Sequence, residues 1–327
     1  RTILKYVISL ILLVVSIYFT INGIDFKKLY QAILGIDYFW VLVPLPVVLL
    51  SHLMRAIRWK LLLSPFHKAT SIINLFSATM VGYLFNNVSP RGGELVRPYI
   101  YSKREKISYS STFATILVER ILDLFTLGIL IAVVLAWNSD KIIKAFPADT
   151  NPMKLVIISV LILVVMFLAV YPPTIKIFLE KVVKPISEKV YIKLVDLFDK
   201  FRQGFAIIKR PSKYARLAVE SLFIWILYAL PLYLLFFAFN FQNTYALGIE
   251  DALLLVIVSG IGVTIAPTPG AIGVYHYLVT TALVQLYGIY IETGFAYATV
   301  AHAAFYLIEL LFGGLFFIHV NISKIPS

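Results

Sequence analysis

Asn86-Asn87-Val88-Ser89-Pro90-Arg91-Gly92-Gly93-Glu94-Leu95-Val96-Arg97 lies in the middle of an apolar stretch, residues 71–103. Proline removes a backbone donor and the paired glycines permit a tight reversal, so a helix entering this segment must stop and turn. A second apolar stretch, 249–288, is broken in the same way at Pro267-Thr268-Pro269-Gly270-Ala271-Ile272-Gly273. Each stretch is expected to form a re-entrant hairpin of two half-helices.

Outward from these breaks, unbroken apolar runs near 2–22, 38–63, 109–137, 153–171, 216–240 and 294–320 read as helices. A helix needs about 20 residues to cross a hydrocarbon layer of roughly 30 Å. Of the 327 residues, 60% are hydrophobic and 14% charged, against roughly 45–50% and about 25% in a soluble domain. The excess requires lipid to cover it. The run 7–19 follows Arg1 and Lys5 but lacks a small-residue cleavage site and precedes further spans, so it is expected to be a retained helix rather than a signal peptide. With no cysteine, disulfide and thiol chemistry and Cys-ligated metal are excluded. The +12 net charge falls between apolar runs, where membrane topology accounts for it and nucleic acid need not.

Lys and Arg concentrate in cytoplasmic loops. Arg55, Arg58, Lys60 and Lys68 precede the first broken stretch, and Lys103, Arg104 and Lys106 follow it. Both of its ends are therefore expected inside. The second is bordered by Glu250, Asp251 and Glu292 within a region, 217–322, that has no Lys or Arg, so its ends are expected outside. The basic segment 176–213 mixes charged with apolar positions such as Ile192, Leu197 and Phe201, the pattern of a cytoplasmic amphipathic helix on the membrane surface. Lys27, Lys28, Lys141 and Lys144 would lie outside, against the trend.

The resulting fold class is an all-α integral membrane protein with six full transmembrane helices plus two re-entrant broken-helix hairpins, both termini cytoplasmic. The order helix, helix, broken hairpin, helix occurs twice, dividing a single membrane domain into repeats 1–151 and 152–327. Ser89-Pro90 answers Thr268-Pro269, and Ala114-Thr115-Ile116 answers Ala298-Thr299-Val300. An odd number of crossings per unit makes these inverted-topology repeats, an architecture of secondary transporters.

Ionisable residues within spans are costly and point to function. Arg91, Glu94 and Arg97 follow the first break, and Glu119, Arg120 and Asp123 share a face of the next helix. Arg91, Arg97 and Arg120 could hold a lipid phosphate, with Glu94, Glu119 and Asp123 orienting them or meeting a cationic headgroup. The same six could equally form a closed network that pins the hairpin to its neighbour. Asn86 and Asn87 could cap backbone groups or touch a headgroup. Thr268 and Gly270 at the second break, and His276 and His302 beyond it, complete the candidate substrate-binding set. Glu309 is expected to pair with one of those histidines. Arg55, Arg58 and Trp59 read as snorkelling and interfacial anchoring. Enzyme motifs of the HExxH, GxSxG and Walker types are absent, and no cofactor or metal site is expected.

Together, Arg55-Ala56-Ile57-Arg58-Trp59, the segment 86–97, Glu119-Arg120-Ile121-Leu122-Asp123 and the segment 267–273 resemble the flippase-type membrane domain of lysylphosphatidylglycerol synthase and its stand-alone relatives. The resemblance spans most of the chain. It implies a cell-membrane protein that moves a phospholipid or lipid-linked headgroup between leaflets. The aminoacyl-transferase activity of the full synthases is not carried over, since this chain shows no such soluble domain. Where many relatives have a second glycine and then an acidic residue after the Pro-Gly break, this chain has Ala271 and His276. The competing expectations are a membrane-embedded enzyme using Glu94 and Glu119 as acid and base, or a non-catalytic subunit for a separate soluble synthase. A homo-oligomer is compatible with either.

Overall fold

Proline and glycine set the limits of the helices. In the computed structural model, residues 11, 14–67, 71–137, 177–188, 190–192, 194–195, 211–266 and 268–322 are described, and every regular element among them is helical. After a helical segment at 14–21 come α1 (Phe26–Leu34) and, behind a short turn at Phe39–Leu42, α2 (Pro44–Leu63). Then follow α3 (Ile72–Val88), α4 (Gly92–Glu105) and α5 (Tyr109–Trp137). The C-terminal part contributes α6 (Tyr214–Ala238), α7 (Ile249–Ile265), α8 (Val274–Tyr287) and α9 (Ile291–Ile322). Apart from α1, which no apolar run announced, these fall where the apolar runs put them. The expected helix at 153–171, and much of 176–213, lie outside the described residues. Among the described residues, three helices are long and apolar enough to cross a membrane: Phe39–Leu63, Pro211–Ala238 and Ile291–Ile318.

The chain divides into two compact units. The first comprises Arg1–Ile57, Ile72–Arg97 and Leu222–Ser327. Within it α9 packs on α3, α8 and α1, and α7 packs on α8. Val48, Met80 and Ile308 form a buried apolar cluster, with Phe76, Phe305, Phe312 and Phe316 around it. Gly313 lets α9 approach α3 closely, because a Cβ there would lie 2.8 Å from the Met80 carbonyl oxygen. The second unit comprises Arg58–Ser71 and Pro98–Ser221. There the Trp59 indole donates to Thr115 Oγ1 at 2.8 Å and its ring lies 4.9 Å from that of Tyr101.

Both breaks reverse the chain. After the last helical bond of α3, from the Ser89 N–H to the Phe85 carbonyl, Arg91 adopts a left-handed φ of 56° and α4 begins at once. Gly82 then meets Gly93 so closely that a Cβ on Gly93 would overlap the Gly82 carbonyl. At the second break α7 ends before Ala266, Pro269–Ala271 makes a tight turn with left-handed backbone at Gly270, and Gly273 at φ 82° precedes α8. The open end of this hairpin is tied by Asp251, which accepts from the Gly248 N–H at 2.8 Å and from the Tyr287 hydroxyl at 2.9 Å.

Ala271 holds a left-handed φ of 59°. That conformation costs an L-residue about 1–2 kcal/mol, and glycine relieves it at the expense of some unfolded-state entropy. Ala271→Gly is therefore expected to stabilise the purified protein by about 1 kcal/mol, read as a higher melting temperature in detergent.

Candidate functional site

The two breaks meet inside the first unit. Asn86 Oδ1, one turn before the first break, accepts the Gly93 N–H at 2.9 Å, so a side chain of α3 satisfies one of the free donors at the start of α4. The left-handed backbone at Arg91 accompanies a side chain directed toward the second hairpin, where its Nη2 donates to the Thr264 carbonyl at 2.8 Å. Thr264 lies in the last turn of α7, where carbonyls carry partial negative charge and a guanidinium is a matched partner. From α3, Asn87 reaches the same place: a Cβ added to Gly270 would lie 3.4 Å from Asn87 Oδ1 and 2.7 Å from the Tyr306 ring. Glycine is required at that position both by its φ of 57° and by this crowding.

Around the second break, Thr268 Oγ1 donates to the Ile272 carbonyl at 2.9 Å and His302 Nε2 donates to the Gly270 carbonyl at 2.7 Å. The His276 ring lies 4.7 Å from that of His302. Three polar atoms here are buried without a hydrogen-bond partner: Tyr275 Oη, His276 Nδ1 and Thr280 Oγ1. Arg91 is exposed, whereas Asn87 is buried and its Nδ2 completes no hydrogen bond. The place where the hairpins touch thus combines one accessible guanidinium, one buried amide with unused donors, and irregular backbone. That set suits an oxyanion with attached hydroxyls. Among the described residues, no group of three or more His, Cys, Asp or Glu is placed to hold a metal ion.

The second unit has its own charged network. Arg58, 0% exposed, hydrogen-bonds Asp123 and Ser221 Oγ and lies 3.8 Å from Glu119, also 0% exposed. Arg120 lies 3.7 Å from Glu119 and 3.4 Å from Asp123. The i,i+4 spacing of Glu119 and Asp123 presents both carboxylates to one arginine.

Two expectations change. Arg55 and Arg58 do not snorkel: Arg55 is 6% exposed and donates to the Tyr83 and Tyr228 hydroxyls at 2.8 and 3.1 Å, and Arg58 is the centre of the second unit's network. Trp59 is fully buried as well. Spacing from a loop suggested an interface, but acceptors on other helices make burial affordable. Arg91, Glu94 and Arg97 belong to the first unit, while Glu119, Arg120 and Asp123 belong to the second, with Arg58 as a further cation. Glu309 pairs with neither His276 nor His302 but lies 3.8 Å from His52 Nε2, because the two turns that separate it from His302 carry it about 10 Å further along the same face of α9. His52 was missed in the sequence, and an isolated histidine in an apolar run gives no sign of its partner.

The model of the Lysylphosphatidylglycerol synthase TM region matches residues 3–313. A UPF0104 membrane protein of Pyrococcus horikoshii is 24% identical over 250 residues, 70% of this chain and 75% of that protein. Another, of Methanothermobacter thermautotrophicus, is 26% identical over 260 residues, 72% of each chain. A third, of Methanocaldococcus jannaschii, is 29% identical over 128 residues, 37% of this chain, and the match spans only 38% of that relative's length.

Proposed function

Because this chain belongs to the Lysylphosphatidylglycerol synthase TM region family, and is with its apolar helices a multi-pass membrane protein, we propose that it moves a phosphate-bearing lipid headgroup between leaflets at the meeting point of its two broken hairpins. The observation that carries this reading is the Arg91 to Thr264 hydrogen bond, which joins the first break to the second beside the buried, incompletely bonded Asn87. An incoming phosphate offers Arg91 a better acceptor than a backbone carbonyl, being charged and bidentate. Exchanging that contact would release one hairpin from the other, and that release is the local event a translocation cycle needs.

The hairpins are read as re-entrant, one opening to each face, with six full crossings and both termini at the cytoplasmic side of the cell membrane. Supporting this are the basic flanks of the first hairpin and the acidic flanks of the second. Irregular backbone at membrane depth is tolerated where protein buries it or a polar cavity solvates it. Two such breaks facing one another match the arrangement of inverted-repeat transporters. Arg97 is buried close to the first break and adds positive charge. Arg120 is held by carboxylates of its own unit, so the phosphate role falls first to Arg91.

In liposomes containing the purified chain and a fluorescent phosphatidylglycerol, leaflet exchange should be accelerated by the native protein. Arg91→Ala should slow it by about ten- to hundredfold, the equivalent of a charged hydrogen bond of roughly 1.5–3 kcal/mol. Exchange unaffected by that substitution would remove the proposed site. A chemically altered lipid would instead assign an enzyme. Neither exchange nor alteration would leave a membrane subunit serving a soluble synthase.

A further inference from the structure

Between α2, α3 and α9 the first unit holds a buried imidazole and a carboxyl, its side chain 15% exposed, that the lipid site does not use. His52 is 3% exposed, and neither of its ring nitrogens has a hydrogen-bond partner. Its Nε2 lies 3.8 Å from Glu309 Oε1, beyond hydrogen-bond range yet close enough to feel the carboxyl's charge. Both residues sit in helices long and apolar enough to span a membrane. Asn87, 7% exposed, adjoins this pair: its side chain lies close enough to interact with Glu309, although its Nδ2 completes no hydrogen bond of ordinary geometry. The same Asn87 lies beside Gly270 of the second break, where an added Cβ would come within 3.4 Å of its Oδ1. One side chain therefore adjoins both the His52–Glu309 pair and the place where the hairpins meet.

We propose that Glu309, with His52 beside it, is a proton-binding site that couples proton movement to anion binding at the breaks. This rests on the lipid-transport reading above and supplies its energy source. The charged and titratable groups facing the pair are Arg55 from α2, Tyr83 from α3, Arg97 from α4 and Tyr228 from α6. On the remaining helices packed against α9, Lys27 and Lys28 of α1 are exposed and His276 of α8 rests against His302, two turns earlier. Ionised, Glu309 offsets part of the positive field of Arg55 and Arg97. When it takes a proton from water on one carboxylate oxygen, that offset disappears and the field at Asn87 and the breaks becomes more positive. A phosphate then binds more strongly, and its departure on the other side lets the proton go. Anion affinity accordingly rises as pH falls through the titration of Glu309, by about tenfold for a unit charge removed at this range.

Two measurements on the full chain test this. Infrared difference spectra of the protein in liposomes, taken across pH, should contain a carboxylic acid C=O band that is missing in Glu309→Gln and whose midpoint pH moves in His52→Ala. A band that persists in Glu309→Gln overturns the proton site, and an unmoved midpoint overturns the pairing. Calorimetric titration with phosphatidylglycerol and, separately, with inorganic phosphate, each in two buffers of different ionisation heat, counts protons. Native protein should take up a proton on binding, and Glu309→Gln should bind without uptake. Binding of lipid but not of inorganic phosphate identifies the headgroup in its lipid as the anion, and the reverse identifies the free ion. Binding by native protein with no proton uptake overturns the coupling. If neither probe binds native protein, the transport reading fails and the coupling with it, and the spectra still decide the proton site.

Discussion

Arg58→Ala should destabilise the protein by about 3–5 kcal/mol, the usual consequence of removing one partner from a buried ion pair. Arg58 and Glu119 are both fully buried, and the arginine also bonds Asp123 and Ser221. Without the guanidinium, Glu119 loses its fully buried cation and keeps the partly exposed Arg120, 3.7 Å away, in a medium that solvates an ion poorly. The cost lies in what is left behind rather than in what is lost. For that reason the triple variant Arg58→Met, Glu119→Gln, Asp123→Asn should recover most of the stability, since replacing a whole buried charge network by neutral groups is often close to neutral. Thermal unfolding in detergent, followed by Trp fluorescence, checks both. A triple variant as unstable as Arg58→Ala alone would show that the arginine holds the unit by packing instead of by charge.

The second large effect belongs to the first hairpin. Gly93→Ala should cost about 2–3 kcal/mol and abolish lipid exchange, because the added Cβ would overlap the Gly82 carbonyl, which is backbone and cannot turn aside. To admit the methyl, α3 and α4 must separate, and the bond from the Gly93 N–H to Asn86 opens with them. Arg91, two residues away, would then lose its aim at Thr264. Gly260→Ala in α7 is the control. Open space surrounds that position, so the added methyl should stabilise its helix by about 0.5–1 kcal/mol and leave exchange intact. If Gly93→Ala behaves like Gly260→Ala, the close helix approach is not what positions Arg91.

Helix positions were readable because their causes are local. The run from residue 109 became Tyr109–Trp137, and the broken stretch from 249 became Ile249–Ile265 and Val274–Tyr287, with proline and glycine between them. Each break needs only a missing donor and a left-handed residue, and both are properties of a few neighbours. Site residues were legible in part. Asn86, Asn87, Arg91, Thr268, Gly270, His276 and His302 stand out as polar or glycine residues beside breaks, and the structure gathers them within one unit. Arg58 and His52 did not stand out as site residues. One sits near basic neighbours that suggest a membrane face, and the other is a single polar side chain in an apolar helix.

By itself, then, the sequence determined that this chain lives in lipid, where its helices run and where two of the apolar stretches must reverse. Tertiary structure alone decided that Arg91 reaches Thr264, that Glu309 faces His52 and that Arg58 gathers the carboxylates of α5. The physical reason is that these helices are apolar on nearly every side, as lipid allows. No hydrophobic stripe then announces which face meets which neighbour. Partners for buried charges are chosen by packing between helices far apart in the chain, and that choice leaves no periodic trace in either segment.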